Sequence, residues 1–81
     1  MDIVYGAHIR AARALLRMEQ QQLAEAAGVS PVTLRKIENV DGPPDVRLST
    51  LYAIRKVLED AGVVFTNGDE PGVKLRRRPA A

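Results

Sequence analysis

Residues 20–39, QQQLAEAAGVSPVTLRKIEN, constrain this chain most, because their punctuation leaves room for little except two short helices joined by a tight turn. Residues 20–27 are strong helix formers without a breaker, and they set Leu23, Ala24 and Ala27 on one face at three- and four-residue spacing. Gly28 stands just past the last periodic position, where glycine takes the left-handed backbone that ends a helix and Val29 can fold back onto the apolar face. Ser30 and Pro31 restart the helix: a hydroxyl accepts from an orphan amide, and proline at the first helical position loses no needed donor. In this second helix Leu34 and Ile37 are the apolar pair. Val32, Thr33, Arg35, Lys36 and Asn39 are left for an outer face that is short, polar and basic.

Two helices crossing at about 90 to 120 degrees through so tight a turn approach closely, so a small residue at Ala24 is what the crossing requires. Gln20, Leu23, Ala24, Gly28, Leu34, Ile37 and Glu38 together resemble the helix-turn-helix repressors of the lambda Cro and CI type, the XRE family, over roughly residues 9–58. A generic small helical bundle would explain the apolar spacing, but not the Ser-Pro start together with the Arg13 and Glu38 arrangement.

The resemblance implies a mainly α fold, a four-helix lambda-repressor-like domain over residues 1–62, with the second helix of the pair in the major groove of double-stranded DNA. It implies a structural ion pair between Arg13 and Glu38, tying helix one to helix three by a two-pronged contact. It places Gln20 and Gln21 where relatives hydrogen-bond the DNA backbone, with ordinary surface glutamine as the competing reading. Val32, Thr33 and Lys36 are the expected base readers: lysine donates to guanine O6 and N7, and the methyl groups of valine and threonine pack on the thymine methyl. Ser30 and Arg35 suit phosphate, and Asn39 suits either. Two departures stand out. Pro31 replaces the polar residue that often stands there, so one base contact is missing, and Glu19 replaces the usual serine or threonine cap, leaving the start of helix two less firmly capped.

Around this unit, residues 5–17 read as a first helix with Ile9, Ala12, Leu15 and Leu16 inward. Arg10 and Arg17 on its side fit a solvated face or a phosphate contact equally. The Gly-Pro-Pro punctuation of residues 40–46 makes a loop, followed by Arg47, which serves either as a second phosphate contact or as a capping or solvated residue. A fourth helix spans residues 48–61 with Leu51, Ile54, Val57 and Leu58 inward and Gly62 as its stop. Residues 63–81 depart from the minimal family domain. They read as a β-hairpin with a basic tail, and since an isolated hairpin is not stable, its apolar residues Val63, Phe65, Val73 and Leu75 must pack on the helices or join a second copy across a two-fold axis. We expect them at a dimer interface, the more so because 81 residues give only a marginal core. Arg76, Arg77 and Arg78 form either an arm to the DNA backbone or a soluble tail.

Charge is informative through its distribution. Residues 1–72 carry eight Lys or Arg against ten Asp or Glu, while residues 73–81 carry four bases and no acid, so the net charge of +2 comes from the tail and DNA binding must rest on local clusters. No apolar run nears the roughly 18 residues of a membrane helix, and with no cysteine and one histidine, His8, neither a disulfide frame nor a metal site is expected. No cofactor is expected either. The resemblance implies a cytoplasmic transcriptional regulator, expected to be a repressor acting as a homodimer on a palindromic operator; the alternative is an antitoxin-like or antiactivator-bound interaction module whose partner is a regulatory protein. An enzyme fits poorly, because nothing supplies an activated nucleophile, an acid–base couple or a phosphate-cradling glycine loop.

Overall fold

The computed structural model describes residues 5–40, 42–66 and 70–76. The four helices of the expectation and the hairpin are all present: α1 Gly6–Leu16, α2 Gln20–Ala27, α3 Pro31–Glu38, α4 Leu48–Asp60, β1 Val63–Thr66 and β2 Gly72–Leu75. Part of the hairpin turn, residues 67–69, and Arg77 and Arg78 of the basic tail lie outside the described residues.

Each helix end has a local cause. Helix α1 stops without a glycine, at Arg17, which takes a left-handed backbone at φ 54° so that the Met18 amide can donate to the Arg13 carbonyl at 2.9 Å. Helix α2 ends in the pattern that its glycine permits. Gly28 has φ 70°, its amide donates to Glu25, and the Val29 amide donates to Ala24 at 2.9 Å, a pairing that satisfies two orphan carbonyls. Nothing lies within 4 Å of the place a Cβ would take at Gly28, so backbone conformation rather than space selects glycine. Two residues later Ser30 Oγ accepts from the amides of Val32 and Thr33 at 3.1 and 3.3 Å, which starts α3 on Pro31. Glu19 does not leave α2 bare, because the Gln22 side-chain oxygen reaches back to accept from the Glu19 amide at 2.8 Å.

The core is formed by Ile9 and Ala12 of α1, Leu23 and Ala24 of α2, Leu34 and Ile37 of α3, and Leu51, Ile54 and Leu58 of α4, joined by Val63 of β1. Ala24 is fully buried, as a close helix crossing demands. Leu15 departs from expectation: it is exposed. The buried stripe of α1 runs through Ile9, Ala12 and Leu16, and Leu15 falls well to one side of that line on a helix of 3.6 residues per turn.

The hairpin is antiparallel, with Val63 opposite Leu75, Val64 opposite Lys74, Phe65 opposite Val73 and Thr66 opposite Gly72. An added bond from the Arg76 amide to the Gly62 carbonyl at 2.7 Å ties the end of β2 to the turn after α4. Strand β1 packs on α4 and strand β2 on α1. Of the four residues expected at a subunit interface, Val63 is buried in the chain's own core, Phe65 and Val73 pack against that core, and Leu75 alone is exposed. The apolar side of the hairpin is thus turned onto its own helices.

Candidate nucleic-acid interface

Helix α3 has an inner side that is anchored and an outer side that is open. The anchor is Glu38, at 1% exposure the one buried charged residue among those described. Arg13 grips its carboxylate with two prongs, Nε to Oε2 at 2.8 Å and Nη2 to Oε1 at 2.6 Å, while Arg13 Nη1 donates to the Met18 carbonyl at 3.1 Å. Gln20 Nε2 of α2 donates to Glu38 Oε1 at 3.1 Å. One carboxylate therefore joins α1, α2 and α3, and both of its oxygens are satisfied, the condition for keeping a charge out of water.

The backbone of the same residue is held too. Arg10 Nη1 donates to the Glu38 carbonyl oxygen, which places a cation at the negative end of α3. Four residues earlier, Gly6 lets the helices touch: a Cβ there would run into the Ile37 carbonyl oxygen and come within 2.8 Å of Glu38 Cα. Gly6, Arg10 and Arg13 lie four and three apart on one face of α1, and all three serve the end of α3. Arg10 thus meets a carbonyl of its own chain, where its sequence context fits a solvated face or a phosphate contact equally, and Gly6 is a close-approach position that its sequence context does not mark. Their three-four spacing with Arg13 puts them on one face of α1, but it does not name the partner that this face meets.

On the outer side, Pro31, Val32, Arg35, Lys36 and Asn39 are exposed, with Val32 at 53%. Val32, the second residue of α3, is thus largely uncovered by its own protein and is free to meet another surface. Thr33 is half-buried and turns toward the loop after α3. There a cleft of about 620 Å³ opens between Thr33, Lys36 and Asn39 on one wall and Pro44, Asp45 and Val46 on the other. Arg47, exposed, follows this wall directly and precedes the first turn of α4.

The polar residues expected at the phosphates are partly engaged. Ser30 uses its oxygen as a cap acceptor, which leaves the hydroxyl hydrogen to donate. Gln20 spends one amide hydrogen on Glu38 and keeps a second, and Gln21 Nε2 donates along its own helix to Glu25 at 3.2 Å. These residues, with Arg35 and Arg47, are distributed over the start of α2, the outer face of α3 and the start of α4.

Two short helices crossing at a glycine turn, the second with an open basic face and a braced inner side, define a helix-turn-helix module. The helix-turn-helix family model matches residues 9–59, from the buried Ile9 of α1 to the last turn of α4. The chain belongs to the XRE family of helix-turn-helix proteins, and it is a DNA-binding transcription regulator of that type. A search of curated proteins finds no match. Among the described residues no helix is long and apolar enough to cross a membrane.

Proposed function

We propose that this regulator is a repressor that works in the cytoplasm as a homodimer on a palindromic operator, with α3 of each subunit in the major groove. The observation that carries the reading is the pairing of an exposed outer face, Val32, Arg35, Lys36 and Asn39, with an inner face locked through Glu38, since base edges are read only by side chains held in fixed register. Lys36 donates to guanine, and the methyl groups of Val32 and Thr33 meet thymine. Gln20, Gln21, Ser30, Arg35 and Arg47 hold phosphates and set the register of the protein on the duplex, Asn39 serves base or phosphate, and Pro31 lines the contact without donating.

A two-fold dimer puts its half-sites about one helical turn apart, near 34 Å. Because Val63, Phe65 and Val73 are committed to the chain's own core, we assign the subunit contact to exposed Leu75 and the strand edge beside it. Leu75→Glu should then shift the protein toward monomer in sedimentation, whereas an undiminished dimer removes the hairpin from the contact.

Footprinting on DNA flanking the protein's own gene, at two salt concentrations, tests the whole reading. Protection with dyad symmetry that weakens at the higher salt is expected, because phosphate contacts release counterions. Protection of a single unsymmetrical patch contradicts the dimer, and the absence of protected sequence contradicts the operator. A promoter–reporter fusion whose output rises when the protein binds would make it an activator instead.

A further inference from the structure

Lys36 and Asp45 face the same cleft from opposite walls, one on α3 and one on the loop, and both are exposed. Among the described residues they form no ion pair with each other, and neither side chain has a hydrogen-bond partner. An unpaired carboxylate beside the surface that meets DNA is repelled by phosphate, and a donor on a base edge offsets that repulsion while adding sequence preference. In the major groove the donors are the amino groups of cytosine and adenine, and Asp is suited to accept from cytosine N4. Lysine is suited to guanine O6 and N7. Guanine O6 and cytosine N4 are direct neighbours, because they hydrogen-bond each other within one base pair.

We propose that Asp45 is a specificity-determining residue and that, with Lys36, it reads one G·C pair: Lys36 Nζ donates to the guanine edge while an Asp45 carboxylate oxygen accepts from cytosine N4. The inference rests on α3 occupying the major groove as proposed above.

The test is selection of duplexes from a randomised pool by the full chain, followed by affinities for each single-base change in the selected site. These are measured with the wild type, Asp45→Ala and Lys36→Ala, each checked by thermal melting, which should not move because both positions are exposed. Asp45→Ala should lose a preference of about 5- to 150-fold at one G·C position, keep the others, and bind random duplex more tightly for want of a repelled charge. Lys36→Ala should relax that same position. If Asp45→Ala tightens binding to every sequence equally and leaves all preferences intact, Asp45 is no reader. If the two variants relax different positions, the shared base pair is wrong. A wild-type chain that enriches no sequence overturns the operator reading along with this one, and that result is distinguished by appearing before any substitution is made.

Discussion

At Glu38 a carboxylate lies 1% exposed with Arg13 on both of its oxygens and Gln20 on one. Replacing Arg13 by alanine leaves that charge buried with one neutral donor, and the loss should be about 3–5 kcal/mol of folding stability, read by chemical denaturation. Loss of DNA binding in that variant would follow from unfolding. A second residue-scale expectation concerns Gly6, whose backbone conformation is ordinary but whose missing side chain is filled by the backbone of Ile37 and Glu38. Gly6→Ala must push α1 away from α3 and should cost about 1–3 kcal/mol, with a melting temperature several degrees lower. An unchanged melting curve would mean that the two helices do not touch there.

Among elements, the α2–turn–α3 unit is the part most legible in the sequence, because its signals are local. Gly28 and Ser30 each act on groups within four residues of themselves, so composition and spacing suffice to place them. Ser30→Ala removes the acceptor for the Val32 and Thr33 amides and should cost about 1 kcal/mol by thermal denaturation, while lowering DNA affinity through a frayed start to α3. Less was legible where the partner is distant. Arg10 meets a carbonyl 28 residues away and Gln20 a carboxylate 18 residues away, and no periodicity within a helix announces either. The end of α1 was hidden for another reason: Arg17 adopts a conformation that sequence rules reserve for glycine or asparagine, held there by the bond from Met18 to Arg13. The cleft beside α3 arises only once the loop of residues 42–46 is laid against the helix.

For the whole molecule, the hairpin changes the balance between core and interface. Its alternating residues were readable as an apolar face, but whether that face meets the same chain or another is decided by the shape of the α1–α4 groove. Val63 is 2% exposed, and its burial contributes about 1.5–3 kcal/mol, so a chain cut after residue 62 should melt well below the full one rather than simply dissociate. The central claim is that a braced α3 presents its outer face to DNA. Amide chemical-shift mapping of the full chain on adding the footprinted duplex tests it most directly. The largest changes should fall at Val32, Thr33, Arg35 and Lys36, with further changes at Gln20, Gln21 and Arg47. Largest changes along Val63–Thr66 and Gly72–Leu75, with α3 unmoved, would contradict it.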